Sequence, residues 1–121
     1  MVKYFFDSYA VIEMIKGNPR YAKFINEEAA FTIFNLAEIY WSVLNEFGEE
    51  NAEKVYEAYK EGVVEITGEI VKEAMKFRKK YKKRNLSYAD CMGYVYAFKN
   101  NLVFLTGDKE FEGLESVEFI K

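Results

Sequence analysis

The stretch Leu102-Val103-Phe104-Leu105-Thr106-Gly107-Asp108 sets four apolar residues in a row and ends them at a turn that carries a carboxylate. A short apolar run closed by a turn signal is typical of a strand that is buried on both faces. Residues 2–6 near the N-terminus show the same pattern, a mostly apolar run that is followed by an acid, Asp7. In a parallel α/β sheet, ligands bind just beyond the carboxyl ends of the strands. If these two strands are neighbours, Asp7 and Asp108 face the same small volume.

The rest of the chain alternates between helical and strand-like segments. Apolar periodicity and capping residues predict helices over residues 8–16, 19–28, 35–48, 49–61 and 67–84, a helix from residue 87, and a short one over 109–113. Further strands are predicted over residues 29–34, 63–66 and 117–120. Strands separated by helices favour an α/β fold with a central, mainly parallel sheet between helical layers, here as one domain over 1–121.

Composition restricts the chemistry of the protein. The chain has no histidine, which excludes Ser-His-Asp and Cys-His catalysis and any zinc site with histidine ligands. Its single cysteine, Cys91, cannot form an internal disulfide, which favours a cytoplasmic protein. No apolar run approaches the ~20 residues that cross a bilayer, so no membrane partner is expected. The remaining oxygen ligands favour Mg²⁺, Mn²⁺ or Ca²⁺.

Four acidic residues stand at predicted helix starts: Asp7, Glu38, Asp90 and Asp108. Each has an ordinary explanation as a helix cap, with 35–38 and 87–90 as capping boxes. In a parallel sheet, however, helix starts share one edge, and two carboxylates about 4 Å apart repel by roughly 4 kcal/mol. Such a cluster predicts a bound divalent metal or raised carboxyl pKa values. The hydroxyls of Ser8 and Thr106 would orient the carboxylates or a phosphate, or serve only in turns.

One predicted helix carries a basic face in this acidic chain, whose net charge is −3. At 100° per residue, five lysines share a stripe about 100° wide: Lys72, Lys76, Lys79, Lys80 and Lys83. The stripe is either a solvated face or a surface that follows the phosphates of a nucleic acid.

Four motifs together resemble PIN-domain ribonucleases, most closely the small VapC-type toxins of toxin–antitoxin pairs. The motifs are Phe5-Phe6-Asp7-Ser8, Asn35-Leu36-Ala37-Glu38-Ile39, Leu86-Ser87-Tyr88-Ala89-Asp90 and Leu105-Thr106-Gly107-Asp108-Lys109-Glu110-Phe111. The resemblance covers the whole chain and implies a flavodoxin-like α/β/α sandwich. It also implies that Asp7, Glu38, Asp90 and Asp108 hold one or two Mg²⁺ or Mn²⁺ ions.

The resemblance further implies an endoribonuclease that cleaves RNA with metal-activated water, forms a homodimer and is silenced by a small antitoxin. The chain departs from the family pattern at Tyr9, at Glu110 and at Cys91-Met92-Gly93-Tyr94. Other readings remain open: a PIN-fold nuclease that processes RNA outside a toxin pair, a non-catalytic interaction module, and a phospho-acceptor receiver. The receiver is the weakest of these, because only Asp7 follows the first strand.

Overall fold

A computed structural model describes residues 2–121 and contains a four-stranded sheet in which every strand pair is parallel. The strand order is β2-β1-β3-β4. The strands are β1 (Tyr4–Phe6), β2 (Ala29–Ala30), β3 (Val103–Thr106) and β4 (Val117–Phe119). The α-helices are α1 (Ser8–Ile15), α2 (Ile33–Phe47), α3 (Glu49–Tyr59), α4 (Gly68–Lys80) and α5 (Tyr88–Lys99). Short 3₁₀ helices span Pro19–Phe24, Lys60–Gly62 and Lys109–Phe111. The predicted α/β fold with a parallel sheet is confirmed.

The two strands that end in aspartates are neighbours at the centre of the sheet. Phe5 lies opposite Phe104 in the β1–β3 register, and their rings stack with centroids 5.4 Å apart. Both side chains are buried, as expected for strands that are covered on both faces. Helix α5 packs closely against β1. A Cβ atom at Gly93 would lie only 2.9 Å from the Phe5 ring, so this position leaves no room for a side chain.

The strand order reverses between β1 and β3. The chain leaves β1 for β2 on one side, and β3 and β4 lie on the other side. The carboxyl ends of β1 and β3 therefore border the crevice in which doubly wound sheets bind their ligands. Asp7 follows β1 directly, and Asp108 follows β3 after one intervening glycine. The predicted neighbourhood of these two strand ends is confirmed.

The start of α2 differs from the prediction. The strand predicted over 29–34 is only Ala29–Ala30, and the helix begins at Ile33 rather than at Asn35. The hydroxyl of Thr32 accepts a hydrogen bond from the Asn35 backbone, and the Asn35 side chain accepts one from the Thr32 backbone. Because this capping box fixes the helix start, the box predicted for 35–38 is wrong, and Glu38 is free of any capping role.

Three other predicted elements are shorter than expected. Residues 63–66 form no strand, and only one parallel bridge joins Val63 to Phe31. The helix predicted over 19–28 is the 3₁₀ helix Pro19–Phe24. Helix α4 ends at Lys80 instead of Arg84, so Lys83 lies beyond the helix that was predicted to carry it. Within residues 2–121, no helix combines the length and apolar character needed to span a membrane.

Candidate active site

Asp7 is the most buried of the four predicted acids, with only 5% of its surface exposed. It caps α1, and its Oδ1 atom accepts a hydrogen bond of 2.9 Å from the Ser8 backbone. Its Oδ2 atom accepts a hydrogen bond of 2.7 Å from the Thr106 hydroxyl. Burial raises the pKa of Asp7 to about 7, the Thr106 bond opposes the rise, and three acids add to it. These acids are Asp90, Glu38 and Asp108.

Thr106 links the two central strand ends. Its side chain is fully buried, and its hydroxyl donates to Asp7 while accepting a 3.0 Å bond from the Asp108 backbone. Asp108 in turn caps the 3₁₀ helix Lys109–Phe111, because its Oδ1 atom accepts a 3.0 Å bond from the Glu110 backbone. The Thr106 hydroxyl therefore bridges the Asp7 carboxyl group and the Asp108 backbone.

Glu38 reaches the same region through Ser8. The Ser8 hydroxyl donates a 2.7 Å hydrogen bond to Glu38 Oε1 and accepts a 2.9 Å bond from the Asn35 side-chain amide. The side chains of Ser8 and Asn35 are buried, whereas Glu38 is exposed. Asn35 is not among the residues predicted for the site, because the contact that brings it there comes from Ser8 on another helix.

Asp90 combines a cap with an unfavourable environment. It forms the predicted capping box of α5, accepting from the Ser87 backbone at 2.9 Å while its own backbone donates to the Ser87 hydroxyl at 3.0 Å. Partial burial raises the pKa of Asp90, the bonds to Ser87 oppose the rise, and Asp108 adds to it. The charged form of Asp90 is therefore disfavoured, which is not expected for a purely capping residue on a solvated helix.

The charges of Asp90, Glu38 and Asp108 all raise the pKa of Asp7, and the charge of Asp108 also raises the pKa of Asp90. Within residues 2–121, however, no group of three Asp, Glu, Cys or His side chains is close enough to hold a metal ion as it stands. Asp7, Asp90 and Asp108 each accept a hydrogen bond from the backbone at a helix start, and Glu38 accepts one from the Ser8 hydroxyl of α1. The donor set still fits a hard divalent cation, because it contains only oxygen ligands and its buried carboxyl group is destabilised by like charges.

The predicted basic stripe is exposed along most of its length. Lys72, Lys76, Lys79 and Lys80 are exposed residues of α4, and Lys83 is exposed in the turn that follows. Two arginines that sequence reasoning did not single out hold the connection from α4 to α5. Arg78 donates to the Leu86 carbonyl and lies 4.4 Å from the Tyr88 ring centroid, and Arg84 donates to the Glu110 carbonyl.

A parallel sheet whose central strands end in carboxylates at the switch point defines an α/β protein with an acidic strand-end site. A family model described as PIN domain matches residues 4–116 of the chain. The chain belongs to the PIN domain family, and the resemblance seen in the four motifs is confirmed. PIN domains are generally nucleases, and those nucleases generally use divalent metal ions.

The fold is also similar to a solved structure described as a toxin-antitoxin complex from Klebsiella pneumoniae. The two chains superpose with a TM-score of 0.78 and are 17% identical, and the match covers 96% of each chain. No curated protein matches the sequence.

Proposed function

We propose that the protein is an Mg²⁺- or Mn²⁺-dependent endoribonuclease and the toxin component of a toxin–antitoxin pair. The observation that carries the nuclease proposal is Asp7, a buried carboxyl group at the switch point with a pKa of about 7. Its neighbours Glu38, Asp90 and Asp108 all raise that pKa. A buried acid surrounded by acids is costly to a fold, and such groups cluster at functional sites.

Asp7, Asp90, Asp108 and Glu38 are the residues that would hold the metal. When bound, the cation would lower the pKa of a water molecule and stabilise negative charge on a phosphoryl oxygen of RNA. The chain's own residues fix the carboxylates in place. Thr106 and the Ser8 backbone hold Asp7 by both of its oxygens, and Ser8 holds Glu38 by one. Asn35 fixes the direction of the Ser8 hydroxyl, since its amide donates to Ser8 Oγ.

The competing interpretation is a non-catalytic module whose acids only cap helices. Glu38 argues against it, because it lies inside α2 and caps nothing. The raised pKa of Asp7 also argues against a purely capping role. A helix cap does not require a buried carboxyl group whose charged form is disfavoured by three other acids.

Calorimetric titration with Mn²⁺ separates the two interpretations. We expect binding by the unmodified chain and its loss in Asp7→Asn, with Glu57→Gln, an exposed acid of α3, as the matched control. The same proteins are then incubated with single-stranded RNA, with Mn²⁺ or with EDTA. Absence of Mn²⁺ binding, or cleavage that continues in EDTA, would rule out the metal-dependent nuclease.

An exposed apolar face on α2 supports the proposal of an antitoxin partner. Ile33, Phe34 and Trp41 are large apolar residues at the surface, and 66% of Trp41 is exposed. Glu38 lies on the same helix between them, so a protein bound to this face would also border the acids. The structural neighbour from Klebsiella pneumoniae is a toxin-antitoxin complex, which adds to this support. The homodimer and the cytoplasmic location stay predictions from the sequence.

Expression in bacteria tests the toxin role against a nuclease that processes RNA outside a toxin pair. We expect the chain to arrest growth, an Asp7→Asn chain to be harmless, and co-expression of a small protein encoded beside it to restore growth. Trp41→Ser should weaken co-purification with that protein. Unimpaired growth on strong expression of an active nuclease would favour the processing role.

A further inference from the structure

A groove of about 670 Å³ lies between α4 and α5, and the acidic site does not account for it. Three lysines line it, namely Lys76 and Lys80 from α4 and Lys99 from α5. All three are exposed, and in the described residues 2–121 none of them forms an ion pair. Residues 76–84 contain seven basic residues and no acidic one, in a chain whose net charge is −3. The groove therefore borders a strongly basic segment of the chain.

The floor of the groove is a ladder of aromatic rings. Tyr81 and Phe77 lie 4.8 Å apart, and Phe77 stacks on Tyr94 at 4.9 Å with an interplanar angle of 28°. Tyr94 is followed by Phe98 at 6.3 Å and 31°. The inner rings are buried or half-buried, but 47% of Phe98 is exposed at the outer end.

We propose that this groove binds the RNA strand away from the acids, with a base stacked on Phe98 and phosphates held by Lys76, Lys80 and Lys99. Aromatic rings beside lysines are the combination that single-stranded nucleic acids select, because every base has a stacking face and every nucleotide a phosphate. This inference deepens the proposed function and rests on RNA being the substrate.

The position of the groove suits an extension of the active site. Asp90 lies in the first turn of α5, and Phe98 follows eight residues later on the same helix. At 1.5 Å per residue, the two positions are roughly 12 Å apart along the helix axis. A strand that reaches both is several nucleotides long, so the groove contributes to binding of long substrates and is unused by the shortest ones.

Two acids also line the groove and limit its charge. Glu73 and Glu115 are part of its wall, and the Glu115 carbonyl accepts a hydrogen bond from the Tyr94 hydroxyl. The lysines still outnumber these acids, and the neighbouring Lys79 and Lys83 add to the positive field. A second copy of the chain would have to match the two acids of this face, Glu73 and Glu115, with an excess of lysines. An anionic ligand with flat rings is the better match.

The groove is tested by the binding of a labelled oligonucleotide of about twelve nucleotides, a length within the usual range for single-strand sites. Fluorescence anisotropy is measured on the full chain in EDTA, which keeps metal-dependent cleavage out of the experiment. Phe98→Ala should weaken binding at least about five-fold, the lower limit for losing one stacked base. Phe47→Ala is the matched control, because Phe47 is 46% exposed on α2 and should leave affinity unchanged.

Two further variants separate stacking from simple packing. Phe98→Tyr keeps a flat ring and should keep the affinity, whereas Phe98→Leu keeps apolar volume and should lose it. Circular dichroism confirms that each variant is folded.

The salt dependence tests the lysines independently. Changing Lys76 and Lys80 together to Ser should lower the slope of log affinity against log salt by about 1.4, since each lost phosphate contact removes about 0.7 on a single strand. Changing Lys54 and Lys60, which pair with acids of α3, should leave the slope unchanged.

Equal effects of Phe98→Ala and Phe47→Ala, or an unchanged salt slope, would overturn the groove proposal. So would a loss of self-association in Phe98→Ala without a change in RNA affinity, which would identify a second copy as the occupant. Binding that depends on Phe98 in a chain that never cleaves RNA would refute the nuclease and leave the groove standing. Cleavage by a chain whose RNA affinity does not depend on Phe98 would refute the groove and leave the nuclease standing.

Discussion

Asp7 and Asp90 are both aspartates at the start of a helix, yet they differ in burial and in hydrogen-bond partners. Asp7 is buried and held by a strand hydroxyl, whereas Asp90 is half-buried and held inside a local capping box. Both have raised pKa values, and burial is the largest cause for each. The comparison teaches that a cap motif neither excludes a functional role nor establishes one. The surrounding charges and the depth of burial make that distinction.

The strongest test of this comparison removes the charge of each aspartate in turn. We expect Asp7→Asn and Asp90→Asn each to lower RNA cleavage by more than about a hundred-fold, beyond the loss typical of residues that only support a metal ligand. Asparagine keeps a side-chain oxygen that can accept the cap bond, so the loss cannot be assigned to a frayed helix. Single-turnover cleavage assays measure it, with Glu57→Gln as control. Wild-type cleavage by either variant would remove that residue from the active site.

The next test uses pH and stability in EDTA. Because the pKa of Asp7 rises from 3.8 to about 7 on folding, the folded state keeps a proton that the unfolded state loses between about pH 4 and pH 7. Asp7 therefore destabilises the fold increasingly through that window, and the whole cost is present above pH 7.

Asp7→Asn should accordingly stabilise the protein by on the order of 3–4 kcal/mol at pH 8 and have little effect near pH 4. Urea unfolding at both pH values measures the difference. Asp90→Asn should show a change of the same sign but smaller size, because Asp90 is less buried. A stabilisation by Asp7→Asn that is equal at both pH values would mean that its ionisation is not the cause.

A smaller effect is expected from the hydroxyl that serves Asp7. Thr106→Val leaves Asp7 Oδ2 and the Asp108 backbone N–H without their partner, which costs about 1–3 kcal/mol of stability. It should also raise the pKa of Asp7 further and weaken Mn²⁺ binding by about 10–100-fold. Urea unfolding and calorimetry measure both effects, and Thr106→Ser, which keeps the hydroxyl, should preserve most of the Mn²⁺ affinity. Unchanged Mn²⁺ binding in Thr106→Val would show that Asp7 needs no orientation.

The smallest effect is expected from the hydroxyl that serves Asp90. Ser87→Ala removes the N-cap of α5 and should cost about 1 kcal/mol at any pH between 6 and 8. Thermal unfolding measures it, and Ser87→Thr, another capping residue, should restore most of the loss. If Ser87→Ala lost as much stability as Thr106→Val, the local cap of Asp90 would matter as much as the buried strand partner of Asp7, and the proposed difference between the two sites would be wrong.

Sequence patterns predicted the parts of this molecule that depend on strong local signals. Apolar runs that end at Asp7 and Asp108 identified the two central strands, and Ser87 with Asp90 identified the start of α5. Patterns that depend on competition between neighbours failed. The apolar letters of residues 29–34 suited a strand, but the capping box of Thr32 and Asn35 starts a helix inside that run.

The orientation of side chains was the other feature that sequence patterns could not predict. Phe98 is 47% exposed on α5, and its exposure depends on the packing between helices, which the periodicity of one helix does not give. The hydrogen bonds from Asn35 through Ser8 to Glu38 join two helices that are well separated in the chain, so periodicity within one helix could not reveal them.

The pairing of β1 with β3 has a consequence for how the protein is made. Almost one hundred residues separate Phe6 from its partner Leu105, so β1 leaves the ribosome long before the strand with which it pairs. Thr106, which fixes Asp7, arrives with that late strand. A nascent chain that stops short of β3 lacks the centre of the sheet and the hydrogen bond from Thr106 to Asp7. The acidic centre is therefore complete only after β3 has been synthesised.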